Sequence, residues 1–225
     1  MRMLKRSKPI EGTCVVANFQ SEGRGQRSNA WTSRSGENLL VSFILYPAPI
    51  LAHEPFVLSK AIAVAVRSAI ASFTKGNVQI KWPNDILIDA KKTAGILIEN
   101  QWAGTTWQAA IAGIGINVNQ TEFTLEKATS LAKQNGNVLM IDDILKELQA
   151  RLSIDYTRLC HGNDATLDEE YHQWLFGKDG FNLYQTPEGR VSARVLRVAD
   201  DGRVEIITEN GDMHRYDLSE MQLIY

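Results

Sequence analysis

The sequence predicts an α+β protein in which a mixed or antiparallel central sheet packs against helices and a small β-barrel follows, and three observations favour this class. Short apolar runs separated by turn residues indicate strands in the first half of the chain. Apolar residues at helical spacing occupy 54–73 and 125–175. After Gly177, short alternating segments follow one another, which is typical of a small antiparallel barrel. We therefore expect two units, residues 1–176 and residues 177–225.

The strands of the first unit are short apolar segments, and those near the middle of the chain are joined by connections short enough for an antiparallel meander. One of them, Asn38–Leu45, is almost continuously apolar, which predicts a central strand covered on both faces. We place the strands at Thr13–Gln20, Asn38–Leu45, Val78–Trp82, Ile86–Ile88, Thr93–Glu99 and Trp107–Ile114.

Helices are expected in three places. Residues up to Ser7 resemble the end of a helix that Pro9 and Gly12 terminate. Glu54–Phe73 has an apolar face nearly encircled by small alanines, which predicts a helix packed deep in the core. Apolar residues at helical spacing then continue through Leu125–Leu175.

The composition is that of an ordinary globular protein. The chain has 225 residues with 24 basic and 26 acidic side chains, a net charge of −2, so neither nucleic-acid binding nor membrane-surface binding is indicated. The basic start lacks the apolar segment of a signal peptide, and no apolar run is long enough to span a bilayer, so we expect a cytoplasmic protein. Cys14 and Cys160 are expected to be buried hydrophobes. The histidines are scattered, so no metal ligand is assigned.

A polar segment, Phe19–Trp31, follows the first strand and is called here the glycine-arginine loop. It combines glycines, arginines, amides and hydroxyls. Glycine permits close approach of the backbone to a ligand, and arginine presents a planar charged fork that fits carboxylate or phosphate. Most loops of this composition are solvated connections. The alternative is a loop that becomes ordered over a charged, phosphorylated small molecule.

A lysine at the end of a predicted strand is the second notable feature. Lys81 lies between two apolar residues, and a lysine is costly to bury unless an anion meets it, which favours a binding role. Alternatively, its ammonium group extends into solvent at the end of the strand. Asn84 and Asp85 form an Asx-type turn after Pro83 or contact a ligand, and the sequence gives both interpretations equal weight.

Glycines inside two predicted strands mark places where another group approaches the backbone closely. At Gly95 that group is either a ligand or a packing helix. Gly113 and Gly115 alternate on one face of a strand with Asn117 beyond them, which makes a flat apolar floor that ends in an amide. Such a floor suits a neutral ring with polar edges, and a bulge or a close strand crossing explains the glycines equally well.

The sequence contains no P-loop, dinucleotide-binding fingerprint or nucleophile elbow, so catalysis would depend on positioning and charge stabilisation. Four motifs, in their order along Thr13–Asn119, instead resemble those of biotin protein ligases. They are Gly-Arg-Gly-Gln-Arg (23–27) followed by Trp31, Lys-Trp-Pro-Asn-Asp (81–85), Lys-x-Ala-Gly-Ile-Leu-x-Glu (92–99) and Gly-Ile-Gly-Ile-Asn (113–117). Each motif is moderately specific, and the ordered set is strong. The C-terminal barrel, SH3-like in such a protein, fits as well.

The resemblance implies an ATP-dependent ligase whose catalytic unit is residues 1–176. Members convert biotin and ATP to biotinyl-5′-AMP and pyrophosphate, and then transfer biotin to one lysine of a biotin carboxyl carrier protein. Mg²⁺ would screen the triphosphate. A homodimer is possible by analogy with relatives that associate through the sheet of the catalytic domain.

The resemblance also assigns roles to residues. Lys81 and Arg24 would be catalytic, because they stabilise charge as the acyl-phosphate bond forms. ATP and the adenylate would be bound by Arg27, Trp31 and Asn117, with Trp31 stacking on adenine. Replacing Lys81 or Arg24 by alanine is expected to lower adenylate formation about tenfold or more, a loss of roughly 2–4 kcal/mol. Biotin would be bound by Gln20, Arg24, Gly25, Gln26, Lys81, Gly95, Gly113 and Gly115.

The chain departs from the pattern of these ligases at its start. Members place a strand and a Ser-Thr-Asn-type turn, whose hydroxyls bind the ureido group of biotin, before the helix that precedes the loop. Here Met1 falls within that helix, so we expect either a truncated start or weaker biotin binding. An N-terminal helix-turn-helix domain is not evident, so the repressor role of some relatives is not expected. Gln26, Ser28 and Asn29 replace Arg or Gly of some relatives, which we interpret as tolerated variation.

Two alternatives remain open on the sequence. Lipoate ligases and octanoyl transferases have a similar fold, and they resemble this chain far less at 23–27 and 81–85. A non-catalytic module that binds biotin or the carrier would explain the missing turn. The presence of Arg24, Lys81 and Asn117 argues against it, because storage of biotin does not need groups directed at a phosphate.

Overall fold

The computed structural model describes residues 8–26, 30–47, 54–162 and 164–224. This part of the chain forms two antiparallel sheets and four helices. The helix end expected up to Ser7 lies outside the described residues. No helix in the described ranges is long and apolar enough to cross a membrane.

The first sheet has six strands, and every neighbouring pair in it is antiparallel. The predicted strand Asn38–Leu45 is confirmed to the residue, and it lies inside the sheet as expected. The order of strands across the first sheet is β1-β2-β6-β5-β4-β3. The strands are β1 (Cys14–Ala17), β2 (Asn38–Leu45), β3 (Val78–Lys81), β4 (Asp85–Ile88), β5 (Lys91–Ala103) and β6 (Thr106–Asn117).

Helices cover one face of the first sheet. The helices are α1 (Phe56–Ala71), α2 (Leu131–Asn135), α3 (Ile141–Cys160) and α4 (Asp164–Gln173). Helix α1 is buried nearly all round, because it packs against α3, α4 and the sheet, and this confirms the predicted core helix. The other face of β2, β6 and β5 carries the glycine residues and lines a cleft.

The prediction of continuous helix over Leu125–Leu175 was wrong. Residues up to Ser130 are not helical, because the backbone there pairs with β5: the N–H of Thr129 donates to the carbonyl of Lys92 at 2.9 Å. Ser130 then caps α2 by accepting from the N–H of Lys133, and Gly136, at φ +75°, ends this helix in the left-handed conformation. The helix was therefore interrupted by a hydrogen bond to a distant strand and by local capping, neither of which a periodicity analysis registers.

The second sheet has five antiparallel strands in the order β10-β9-β8-β7-β11. They are β7 (Asn182–Thr186), β8 (Gly189–Val198), β9 (Val204–Thr208), β10 (Met213–Tyr216) and β11 (Gln222–Leu223). The number of strands and the hairpin between β9 and β10 at Asn210-Gly211 agree with the prediction. The pairing describes an open sheet whose outer strands do not pair with each other, so closure into a barrel is not confirmed.

Three contacts hold the second sheet against the first. The chain leaving α4 runs beside β3, where Ile80 donates to the carbonyl of Trp174 and accepts from the N–H of Phe176, each at 2.8 Å. The indole N–H of Trp82 donates to the carbonyl of Gly202 at 2.9 Å. A buried lysine, Lys60 of α1, pairs with carboxylates of α4 and of the second sheet. The strand that carries the Lys-Trp-Pro-Asn-Asp motif is thus fixed from both sides.

Candidate active site

A cleft of about 1270 Å³ opens on the uncovered face of the first sheet. The glycine-arginine loop lies on one side of it, and residues of β7, β8 and β11 line another side. Sites for drug-sized ligands typically measure about 300–1,000 Å³, and this cleft is somewhat larger. The second sheet therefore belongs to the wall of the cleft.

The cleft brings together ten of the eleven residues that the sequence singled out. The eleventh, Arg27, lies outside the described residues, as do Ser28 and Asn29. The ten are Gln20, Arg24, Gly25, Gln26, Trp31, Lys81, Gly95, Gly113, Gly115 and Asn117.

The last residues of the glycine-arginine loop pair with residues near its middle. Arg24 and Ala30 form an isolated antiparallel bridge, and the N–H of Trp31 donates to the carbonyl of Gly23 at 2.8 Å. A Cβ atom at Gly23 would lie 2.3 Å from the carbonyl oxygen of Trp31, so this closure requires glycine. The Arg24 guanidinium is 71% exposed and lies 3.3 Å from the carboxylate of Glu99. Because such exposed pairs are weak, Arg24 is free to exchange Glu99 for another anion.

The glycine floor is regular strand, and a side chain lies on it. Gly95 of β5 and Gly115 of β6 are register partners, and the only shift in their ladder is at Gln101/Trp102. Of the alternatives given for Gly113 and Gly115, a bulge is therefore excluded. The Trp31 ring lies against both residues: a Cβ on Gly115 would be 2.6 Å from Trp31 Cε2, and one on Gly95 would be 3.0 Å from Cζ3. The group that approaches Gly95 is thus the tryptophan of the loop, which was not among the expected alternatives.

The third glycine of the floor, Gly113, remains open. A Cβ there would meet the carbonyl of Leu97 at 3.4 Å and the hydroxyl of Ser42 at 3.8 Å, which are ordinary contact distances. At Gly115, the next residue on the same strand face, the indole N–H of Trp31 is buried without a hydrogen-bond partner among the described residues. A buried unpaired donor is costly, so this part of the cleft favours a ligand that carries a hydrogen-bond acceptor.

Alanine variants at Gly115 and Gly113 test how the Trp31 ring packs on the glycine floor. Gly115→Ala is expected to displace the Trp31 ring, because the added methyl group would overlap it. Gly113→Ala on the same strand face leaves the ring in place, since its methyl group has room. The measurement is ¹⁹F NMR of 5-fluorotryptophan-labelled protein, with the Trp31 resonance assigned by Trp31→Phe. Equal displacement in the two variants would contradict this packing.

A buried carboxylate holds two lysines at the wall of the cleft. Asp85 accepts from Lys81 Nζ at 2.9 Å through Oδ2, and its Oδ1 lies 2.6 Å from Lys92 Nζ. Burial raises the pKa of Asp85, but the charges of Lys81 and Lys92 and their hydrogen bonds outweigh it and hold that pKa below its ordinary value. Asp85 therefore remains ionised, and the ion pair decides between the two interpretations of Lys81: its ammonium group is not simply solvated.

Asn84 has a structural role. Its side-chain N–H donates to the backbone carbonyl of Ile96, and its backbone carbonyl accepts from the N–H of Ile96, both at 2.9 Å. The amide of Asn117 is similarly engaged, since its Nδ2 donates to the carbonyl of Thr129 at 3.0 Å. Both asparagines therefore fix neighbouring backbone segments that border the cleft.

Several charged residues that line the cleft were given no catalytic or binding role from the sequence, and two of them, Asp85 and Lys92, form an ion-pair cluster with Lys81. Asp85 is the cross-strand partner of Lys81 in the β3–β4 pairing. The contact could have been predicted by treating the first and last residues of the motif 81–85 as a cross-strand pair. Lys92 could not have been found in this way. The pairing of β4 with β5 shifts after Ile86, so Lys92, and not Thr93, is opposite Leu87 on the cleft side.

Residues 2–117, just over half of the chain, match the Biotin/lipoate A/B protein ligase family. The chain belongs to this family. In the structure, the matched residues include strands β1 to β6 and the glycine-arginine loop, which form the floor and one side of the cleft. Membership in the biotin/lipoate A/B protein ligase family thus covers the residues around which the site is built.

Relatives within the family include named ligases. A bifunctional ligase/repressor BirA of Bacillus subtilis is 45% identical over 217 residues, which cover 92% of this chain and 65% of that protein. A solved biotin protein ligase from Aquifex aeolicus, in complex with biotin and ATP, has a TM-score of 0.80 at 25% identity and covers 99% of this chain and 93% of that one. The chain spans less than two thirds of the length of the Bacillus relative.

Proposed function

We propose that this chain is an ATP-dependent ligase that activates biotin as biotinyl-5′-AMP and transfers biotin to a lysine of a biotin carboxyl carrier protein. The observation that carries the proposal is Lys81, a charged side chain held at the wall of a cleft whose floor is built from glycines. The name of the Bacillus relative and the biotin and ATP of the Aquifex structure support it.

In the first step, a carboxylate oxygen of biotin attacks the α-phosphorus of ATP. The bond from that phosphorus to the bridging oxygen breaks, and pyrophosphate leaves with the electron pair. Lys81 would stabilise the negative charge on the reacting carboxylate and phosphate, and Arg24, Gly25 and Gln26 of the loop would enclose them, with Arg27 nearby. No protein nucleophile is required, because the reaction depends on orientation and charge.

The floor divides into two proposed parts. The biotin ring system would lie over Gly113, where the strand face is open, with Gln20 donating a hydrogen bond to biotin from the loop side of the cleft. The Trp31 ring, seated on Gly95 and Gly115, would present its free face to adenine, and Asn117 borders the same region. In this arrangement Gly95 and Gly115 act on the ligand through the tryptophan that they seat.

In the second step, the amine of a carrier lysine attacks the carbonyl carbon of the mixed anhydride. AMP leaves with the electron pair, the amine loses a proton, and an amide remains. Closure of the glycine-arginine loop would keep water from the anhydride until the carrier arrives.

Further parts of the proposal concern cofactor, assembly and domains. Among the described residues, no three His, Cys, Asp or Glu side chains form a metal site, and Asp85 is already bound by two lysines, so Mg²⁺ would enter as part of the Mg–ATP substrate.

A homodimer could form at edge strand β1, where Val15 and Val16 are about half exposed. Residues 1–176 would be the catalytic unit and 177–225 a second unit, and the protein would act in the cytoplasm.

The experiment that tests the function is exchange of labelled pyrophosphate into ATP by the 225-residue chain. Exchange is expected with biotin and not with lipoate or octanoate. Exchange that depends on lipoate or octanoate would favour the related acyl ligases. A folded protein that supports no exchange, but binds biotin in calorimetry, would instead be a binding module.

A further inference from the structure

Lys92 is a charged residue of the cleft to which the proposed reaction gives no role. Its ammonium group lies 2.6 Å from Asp85 Oδ1, while Lys81 lies 2.9 Å from Oδ2 of the same carboxylate. The side chains of Asp85, Lys81 and Lys92 are 9%, 17% and 26% exposed. Two ammonium groups therefore share one carboxylate in a partly desolvated wall, which leaves a net charge of +1 on this cluster.

This cluster is incomplete as a purely structural ion pair. Each ammonium group has three N–H donors, whereas the contacts with Asp85 are one hydrogen bond from Lys81 to Oδ2 and one ion pair between Lys92 and Oδ1. A partly buried positive charge without its own counter-ion is unfavourable, and an anionic ligand with several oxygens would relieve it. A nucleotide phosphate has that chemistry.

The position of Lys92 distinguishes its role from that of Lys81. Lys92 is the more exposed of the two, and its ammonium group lies 5.7 Å from the centre of the Trp31 ring, over the floor of the cleft. Pyrophosphate must leave toward solvent, whereas the carboxylate and the α-phosphate react deeper in the site. Of the two lysines, the more exposed Lys92 is therefore the better placed to contact a departing group.

We propose that Lys92 binds the leaving phosphates of ATP, and that Asp85 is the positioning residue that holds the ammonium groups of Lys92 and Lys81 in place. This rests on the proposed function. As the bond between the α-phosphorus and the bridging oxygen breaks, pyrophosphate takes the electron pair, and Lys92 stabilises its charge by hydrogen bonding without giving up a proton. Lys92 has no part in the transfer of biotin from the adenylate to the carrier.

The chain offers a matched control next to Lys92. Lys91 is on the same strand, exposed, and outside the cleft. We expect Lys92→Met to lower biotin-dependent pyrophosphate exchange about tenfold or more and to raise KM for ATP, in line with the loss of a charge-stabilising donor. Lys91→Met is expected to leave exchange unchanged, and Lys92→Arg to retain most of it, because the charge is kept.

The second half-reaction separates this role from general damage. With synthetic biotinyl-5′-AMP and a purified carrier domain, Lys92→Met is expected to transfer biotin within about threefold of the unchanged chain, since no phosphate leaves from ATP in that step. Equal loss in both half-reactions, or exchange equal to that of Lys91→Met, would overturn the role of Lys92. Absence of exchange in the unchanged chain would overturn the proposed function as well.

Asp85 is tested by a double-mutant cycle. If Asp85 acts through the lysines, Asp85→Asn lowers exchange by a larger factor in the unchanged chain than in Lys92→Met, because part of its effect is already lost. A purely structural Asp85 would give equal factors in both backgrounds. Thermal unfolding of all four proteins shows whether they are folded at the assay temperature, and additive effects in folded proteins would overturn the positioning role.

Discussion

Lys81→Met is expected to lower biotin-dependent pyrophosphate exchange by about 100-fold or more, because removal of one preorganised charge-stabilising donor typically costs 10²–10³ in rate. The structure supports the large value. Lys81 is only 17% exposed and is fixed by Asp85, so its charge needs no reorganisation when the phosphate reacts. Methionine keeps the aliphatic stem, and Asp85 keeps Lys92 as its counter-ion, so the fold should persist.

The control for this variant is Lys75→Met. Lys75 is exposed, precedes β3, and is outside the cleft, so the same charge is removed without a change in the site. The rate constant is measured by exchange at saturating biotin and ATP, and the folded fraction by circular dichroism. If Lys81→Met matched Lys75→Met, charge stabilisation by Lys81 would be excluded as the main source of catalysis.

The sequence predicted most of the first sheet because its strands carry strong local signals. Asn38–Leu45 is continuously apolar, and its boundaries agree with the structure. The alternation of Gly113, Gly115 and Asn117 correctly placed them on one face, since a strand has a period of two. The ordered set of motifs also predicted that residues distant in the sequence share one site, and these residues line one cleft. No single motif could have shown this.

The parts that were missed depend on contacts between distant segments. Lys92 enters the cleft because one strand pairing shifts its register, and a register shift leaves no local pattern in the sequence. Trp31 was assigned to adenine, whereas its contact with Gly95 and Gly115 follows from how the loop closes. The non-helical start of the 125–175 region arises from pairing with β5. In each case a tertiary hydrogen bond or contact outweighs the local propensity.

The role of Lys60 could not be predicted for the same reason, because this lysine lies within a helix that is mostly apolar. Its side chain is 2% exposed, and its ammonium group lies 2.5 Å from Asp168 of α4 and 2.7 Å from Asp200, in the turn between β8 and β9. The carboxylates are 43% and 50% exposed. The charge that is costly to bury therefore belongs to the lysine, while its partners remain largely hydrated.

Because Lys60 is buried and its carboxylate partners are not, substitutions of the lysine and of the aspartates are expected to change the unfolding free energy by different amounts. Asp168→Asn combined with Asp200→Asn leaves the Lys60 ammonium group buried without a counter-ion, which is expected to cost about 3–5 kcal/mol of unfolding free energy. Lys60→Met removes the buried charge and leaves two hydrated carboxylates, so its cost is expected to be below about 1.5 kcal/mol. Guanidinium unfolding of both variants measures the difference.

The matched control is the double variant Asp179→Asn/Asp212→Asn, which removes two exposed carboxylates and is expected to change the unfolding free energy by less than about 0.5 kcal/mol. A larger cost for Lys60→Met than for the double aspartate variant would show that the ion pairs themselves stabilise the fold. With the expected order, the ion pairs add little net stability, and we infer that their role is to fix how α1, α4 and the second sheet meet, because they join these three elements. Because the second sheet forms part of the cleft wall and Trp82, which lines the cleft, bonds to Gly202 beside this junction, a shift there would alter the site although Lys60, Asp168 and Asp200 do not line it.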